Sequence, residues 1–179
     1  SIGVDTAVNT IVEACDRISD TARAHRRAFI VEVMGRQCGF LAMRAGIAAE
    51  ADAIVYREDG QRNEDDLVLE LSQVLGSCFG RQKTRALIIK SEGVTVSSAK
   101  LASRLQAWLD ENYPGVKLRQ TVLGHVVRGG NPSALDRVIA QRLGFAAVLA
   151  CEEGEHDVML GWDSASTVGE STLDRYIRK

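Results

Sequence analysis

The sequence predicts an α/β fold, a parallel β-sheet with helices packed on both faces in three layers. Three observations lead there. Short runs dense in bulky and β-branched residues, "RAFIVEV", "AIVY" and "ALIIK", alternate with longer stretches whose apolar residues recur at three- and four-residue steps. The strand-like runs are nearly continuous in apolar residues, as strands buried on both faces are. Strands that alternate with helices of this length imply parallel βαβ units.

The first element is a helix, expected from about Asp5 to His25. Val4, Val8, Ile11, Val12, Cys15 and Ile18 share one face, with Asp16, Arg17 and Asp20 between them. The strand "RAFIVEV" follows and ends by Gly35. A helix is expected at "GFLAMRAGIAAEA", then the short strand "AIVY", a charged loop from Arg57 to Asp65, and the helix "DDLVLELSQVLGSCF". The alternation continues with strand "ALIIK", helix "SSAKLASRLQAWLDENY", a turn at Pro114-Gly115, strand "LRQTVLG" and helix "SALDRVIAQRLGFAAVLA". From Glu152 to Lys179 the chain carries "EEGEHD", one short apolar stretch "VMLGW" and a Ser/Thr-rich segment, with no periodicity to assign.

Composition narrows the function. With 179 residues, 45% hydrophobic and 26% charged, the chain has material for one full-sized globular domain or one and a half small ones. Its 22 basic and 24 acidic residues leave a net charge of −2, without the basic footprint of a nucleic-acid binder. Cys15, Cys38, Cys78 and Cys151 form no CxxC pair, so neither a zinc site nor a disulfide framework is expected, and reduced thiols fit a cytoplasmic protein. No metal held by cysteine is expected. No apolar run reaches membrane-spanning length and no signal segment opens the chain. A chain that opens on Ser1 and enters a helical pattern almost at once is expected to be part of a longer protein.

In parallel sheets ligands bind at the carboxyl ends of the strands. The residues immediately after the apolar runs are Met34-Gly35-Arg36, Ser91-Glu92-Gly93 and Gly124-His125 through Gly130. Arg36, Glu92, His125 and Arg128 together suit a polyhydroxylated phosphate ester. Guanidinium groups grip phosphate oxygens in a bidentate fork, a carboxylate accepts from sugar hydroxyls, and glycines admit backbone N–H groups. Singly, each residue has a plainer reading: a surface charge, a packing histidine, or, for Glu92, a helix N-terminal acid next to Ser97.

The segment "RQTVLGHVVRGGNPSALDR" resembles the signature of the 6-phosphofructokinase family, with Arg119, Gly124, His125, Arg128, Gly129, Gly130, Asp136 and Arg137 at the family's spacing. "VEVMGRQCG" is similar to the same family's sugar-phosphate loop, "KSEG" to its later acidic strand end, and "SIGVDTAVNTIVEACDRISDT" to the helix after its catalytic aspartate loop. These four segments come in the family's order and span most of residues 1 to about 145.

The resemblance implies a phosphofructokinase-like, Rossmann-like three-layer fold and phosphoryl transfer to the 1-hydroxyl of fructose 6-phosphate in glycolysis. Met34, Gly35 and Arg36 would contact the sugar phosphate, with Arg36 also steadying the transferred phosphoryl group as the one catalytic residue of this chain. Glu92 would accept from sugar hydroxyls, and His125 and Arg128 would hold the sugar and its 6-phosphate. Arg27 and Arg119 match arginines that reach the phosphate from a neighbouring subunit, so a homo-oligomer, dimer or tetramer, is implied. Mg²⁺ and ATP, or diphosphate, are implied for the parent protein but not for this chain alone, because the glycine-rich nucleotide loop and the aspartate loop precede the matched segments in the family. Residues 1–126 would form most of the fructose 6-phosphate domain, and residues 127–179 would return to the nucleotide-binding domain. Val127 stands where the signature has glutamine or leucine. In bacterial members an effector site uses a basic residue on the first helix and an acid after the second; here Ser19 stands near the former position, a departure, and Asp52, with Lys83, near the latter. A non-catalytic sugar-phosphate sensor with the same pocket is the alternative.

Overall fold

The computed structural model of the protein describes residues 2–59, 63–162 and 173–177. It divides into two units, Ala7–Gly130, and Ser1–Thr6 with Asn131–Lys179.

The larger unit is built on four parallel strands, β1 (Arg27–Val33), β2 (Ala53–Val55), β3 (Arg85–Ser91) and β4 (Lys117–Val122), in the order β2-β3-β1-β4. α1 (Val4–His25) precedes β1, α2 (Phe40–Ala48) joins β1 to β2, α3 (Glu64–Gly80) joins β2 to β3, and α4 (Ser98–Asn112) joins β3 to β4. The crossover from β1 runs towards β2, whereas those from β2 and β3 run the other way. Right-handed crossovers of opposite sense put their helices on opposite faces.

Burial follows from the pleat. Ala28 and Ile30 of β1 and Ala86 and Ile88 of β3 face one way, into a core with Leu67, Leu71 and Leu75 of α3 and Leu101, Leu105 and Leu109 of α4. Phe29, Val31, Leu87 and Ile89 face the other way, onto Ala7, Ile11 and Cys15 of α1 and Ala42 and Ala45 of α2. In all three leucine or alanine-to-cysteine series the four-residue step keeps the side chains on one helix face. The fully buried residues of α2, Ala42, Ala45 and Gly46, are all small. A Cβ on its Gly46 would lie 2.6 Å from Ile54 Cδ1, so glycine is what lets this helix seat closely.

Helix ends explain the boundaries. Asn63 caps α3 by accepting from Asp66 N at 2.8 Å, and Ser97 caps α4 by accepting from Lys100 N at 3.3 Å. Glu64, Asp65 and Asp66 sit in the first turn of α3, where the helix dipole favours acids, and Lys100 and Arg104 of α4 pair with Glu64. α2 is shorter than its sequence suggests because Glu50 takes φ 51°, which ends the helical run at Ala48. Burial pushes the Cys15 thiol up to about 11, and burial followed by the Asp52 carboxylate does the same for Cys78, so both stay protonated core side chains.

In the smaller unit, α5 (Ala134–Glu152) is capped by Ser133, whose hydroxyl accepts from Asp136 N at 3.2 Å. Asp136 is 3% exposed and accepts from Gly3 N and Thr6 N, each at 2.8 Å, and from Thr6 Oγ1 at 2.5 Å. One carboxylate thus serves the first turn of α1 as well as that of α5. The tail to which the sequence assigned no element carries an antiparallel pair, β5 (Val158–Trp162) and β6 (Leu173–Ile177), with "VMLGW" forming β5. Residues 163–172 and 178–179 of that tail lie outside the described residues. Leu135, Val138, Phe145 and Val148 of α5 are exposed.

Candidate functional site

The carboxyl ends of β3, β1 and β4 lie side by side, and all three sequence-marked segments begin there. β1 occupies the middle. Glu92 N donates to Val33 O at 2.9 Å, and Leu123 N donates to Glu32 O at 3.0 Å, so the residues leaving β3 and β4 are both bonded to the end of β1.

The loop from Met34 to Gly39 is held at both of its ends. Gly35 N donates to Glu92 Oε1 at 3.3 Å, and Ser91 Oγ donates to Gly35 O at 2.5 Å. At the far end, Gly39 N is shared by the two oxygens of Glu58, at 2.7 and 3.0 Å. Those backbone bonds, with the nearby Cys38 thiol and Arg57 charge, hold the Glu58 carboxyl below its usual value. Gly35 has φ 138°, and a Cβ there would lie 2.5 Å from Cys38 O, so the turn requires glycine on both counts. Gly93 is required for a different reason. A Cβ on it would lie 2.3 Å from Arg36 O and 2.8 Å from Gly35 O, because the β3 turn packs directly against the β1 loop.

After β4, residues Gly124–Arg128 form a 3₁₀ turn that starts at φ 53° on Gly124. Val127 is 1% exposed and belongs to the core between α1 and the sheet. Its burial anchors the turn and leaves His125, Val126 and Arg128 exposed. The departure from the signature at Val127 is therefore a packing position in this chain.

Met34, Gly35, Arg36, Glu92, His125 and Arg128 are thus brought to one edge of the sheet, with the Arg36, Glu92, His125 and Arg128 side chains exposed. Glu92 precedes α4 by a full turn of chain and Ser97 is the cap, so Glu92 is not an acid of that helix's first turn. Arg27 opens β1 at the opposite edge, about 20 Å from Val33 at the usual rise per strand residue. Arg119 is exposed on edge strand β4, in register with Phe29. Neither joins the cluster within this chain.

Ser19 and Asp52 lie near the amino-terminal edge of the sheet. Ser19 lines a cleft of about 320 Å³ with Asp16, Glu50 and Arg85, and Asp52 and Lys83 line one of about 500 Å³ with Arg81. Asp52 Oδ1 accepts from Lys83 Nζ at 2.7 Å and Oδ2 from Leu87 N at 2.9 Å. Burial pushes the Asp52 carboxyl up, but these bonds outweigh it and hold it below the ordinary value.

Among the described residues, no three His, Cys, Asp or Glu side chains gather where they could hold a metal ion. No helix among the described residues is long and apolar enough to cross a membrane. Sequence reasoning marked Ser91 and Gly93 by their place at a strand end but gave neither a role, and it passed over Glu58; all three shape the loop without a chemical signature of their own.

Comparison with known proteins gives a consistent picture. The family model described as Phosphofructokinase matches residues 1–151. The ATP-dependent 6-phosphofructokinase of Brevibacillus brevis is 45% identical over 161 residues, which is 90% of this chain and 47% of that protein. An enzyme of the same description from Thermus thermophilus is 42% identical over the same shares. The chain therefore spans about half the length of the curated relatives it matches. Among solved structures, phosphofructokinase from Saccharomyces cerevisiae superposes with a TM-score of 0.81 at 30% identity, over 99% of this chain and 23% of that one. The pyrophosphate-dependent phosphofructokinase of Nitrosospira multiformis shares the fold, with a TM-score of 0.73 at 20% identity over 98% of this chain and 45% of its own.

Proposed function

The chain belongs to the phosphofructokinase family, and from that premise we propose that it is the fructose 6-phosphate-binding portion of a 6-phosphofructokinase. The observation that carries this reading is the meeting of the Arg36, Glu92 and His125–Arg128 segments on three adjacent strand ends. Glu92 accepts from sugar hydroxyls. His125 and Arg128 engage the sugar and its 6-phosphate. Arg36, on a loop fixed at both ends, neutralises charge on the phosphoryl group as it passes to the 1-hydroxyl. Positioning and charge neutralisation are most of what phosphoryl transfer asks of a protein.

The 1-hydroxyl proton leaves to a base carried outside residues 1–179, where Mg²⁺ and the donor are also held. ATP is the donor favoured by the relatives' descriptions, since those 42–45% identical are named ATP-dependent whereas the pyrophosphate-dependent neighbour is 20% identical. Residues 1–126 serve the sugar phosphate, and residues 127–179 pack on the remainder of the parent, for which the exposed Leu135, Val138, Phe145 and Val148 supply an apolar face. The protein works in the cytoplasm, where glycolytic sugar phosphates are found. Mixing the chain with fructose 6-phosphate, Mg²⁺ and ATP is expected to show calorimetric binding without fructose 1,6-bisphosphate. Turnover would overturn the placement of the base outside the chain, and failure to bind at millimolar sugar phosphate would overturn the site itself.

The site is completed by a second copy. Arg27 and Arg119, away from the cluster of their own chain, act on the phosphate of a neighbour. Arg119→Ala is expected to weaken binding in the assembled protein by roughly tenfold or more, the worth of one charge-assisted hydrogen bond. Mixing Arg119→Ala with Arg36→Ala chains should regenerate some intact sites. Mixed assemblies that bind no better than either variant alone would confine the site to one chain.

A further inference from the structure

Two charged side chains lie inside otherwise apolar strands, directly behind the site. Glu32 of β1 and Lys90 of β3 are register partners and face the α3 and α4 layer. Lys90 Nζ donates to Glu32 Oε2 at 3.0 Å and to Ser91 O at 3.3 Å. Ser98 Oγ, in the first turn of α4, donates to the same Glu32 oxygen at 2.5 Å. Lys90 is 1% exposed and Ser98 3%, whereas the Glu32 side chain keeps 20%.

Glu32 is also the residue whose backbone carbonyl holds Leu123. A single residue is therefore bonded to the strand that leads into Glu92, to the helix after it, and to the strand end that leads into His125 and Arg128. It stands three residues before Gly35 in its own strand. Burying an ammonium group is costly, and an apolar pair of similar size would pack there without that cost. An ion pair differs from such a packed pair in directionality and in its balance of charge.

We propose that Lys90 and Glu32 are positioning residues for the sugar-phosphate pocket: with Ser98 they fix the three strand ends relative to one another, and Lys90 cancels a carboxylate charge behind a pocket that receives a dianion. The inference rests on the fructose 6-phosphate reading of the site. Removing the lysine leaves Glu32 with the Ser98 hydroxyl alone, which loosens the end of β3 and adds unbalanced negative charge near the phosphate. Removing both charges, as Lys90→Met with Glu32→Gln does, restores the balance and keeps an acceptor for Ser98.

The test titrates the ¹⁵N-labelled chain with fructose 6-phosphate, follows the amides of Gly35, Gly93 and Gly124, and records the melting temperature of each variant. Lys90→Met is expected to weaken the dissociation constant about tenfold and to displace the Gly35 and Gly124 amides before ligand is added. The double variant is expected to return to within about threefold of the parent. An unchanged dissociation constant with unmoved amides, whatever the melting temperature, overturns the proposal, as does a double variant no better than Lys90→Met. If Lys90→Met does not fold, Ser98→Ala removes one bond only, and amides left in place by that variant overturn the proposal too. A parent chain that fails to bind fructose 6-phosphate rejects the reading of the site. The ligand-free amides still decide on positioning: displaced in Lys90→Met and recovered in the double variant they support it, and unmoved they overturn it.

Discussion

Substituting alanine for Gly93 is expected to weaken fructose 6-phosphate binding about 100-fold while leaving the protein folded. The added methyl would lie 2.3 Å from the Arg36 carbonyl oxygen and 2.8 Å from that of Gly35, both backbone atoms that cannot rotate away. The loop that carries Arg36 has to move. It is tied at Gly35 by Ser91 and Glu92 and at Gly39 by Glu58, so it cannot shift as a unit without breaking one of these bonds. A displacement of about 1 Å at a positioned group is enough for a loss of that size, whereas overpacking one methyl costs only about 1–3 kcal/mol of stability. Calorimetry with the sugar phosphate and thermal unfolding separate the two effects. Near-parental binding by Gly93→Ala would show that Arg36 does not act from this loop position.

Asp136→Ala is expected to produce the largest loss of stability, about 2–3 kcal/mol, or roughly 5–10 °C in melting temperature. The substitution removes the carboxylate that accepts from Gly3 N, Thr6 N and the Thr6 hydroxyl. Burial pushes the Asp136 carboxyl up, but hydrogen bonds from Thr6, Gly3 and Ser133 outweigh it and lower it below the ordinary aspartate value. A carboxyl lowered on folding stabilises the native state above its unfolded pKa, about 3.9, and that contribution is lost as pH falls through the folded value. The gap in melting temperature between parent and Asp136→Ala should therefore be full at neutral pH and narrow below about pH 4. A gap that is constant down to pH 3, measured by calorimetric scans, would remove the carboxylate from this role.

Much of this architecture can be read from the chain because the two central features are local. β1 and β3 are dense apolar runs, and the sites of interest follow them immediately, so locating the strands also locates Arg36 and Glu92. The helix faces are equally legible, since Leu67, Leu71 and Leu75 repeat at one step. What could not be read is long-range pairing. Glu32 and Lys90 look like polar interruptions of two strands, and only the parallel register makes them partners. A usable signal does exist: opposite charges stand two residues before Met34 and two before Glu92, at the same depth in two strands that the sheet order makes neighbours. Asp136 stood out in the signature segment, but its partners Gly3 and Thr6 are at the other end of the sequence. The β5–β6 pair escaped because "VMLGW" is short and its partner follows a segment with no apolar pattern.

The strand order also sets when the site can come into being. β1 lies at the centre of the sequence-early half, yet its two neighbours in the sheet are β3 and β4, which end at Ser91 and Val122. During synthesis β1 therefore leaves the ribosome with both edges unpaired, and the strand that covers its second edge is complete only at Val122. Non-local parallel pairing of this kind folds slowly, and an apolar strand with bare edges is the species that misassociates. The cluster is incomplete in that interval, because the bonds between the β1 loop and the β3 turn can form while the turn after β4 is still missing. Nascent chains arrested before residue 117 would present Arg36 and Glu92 without the turn that carries His125 and Arg128, and this protein's dependence on chaperones should be concentrated in that window of translation.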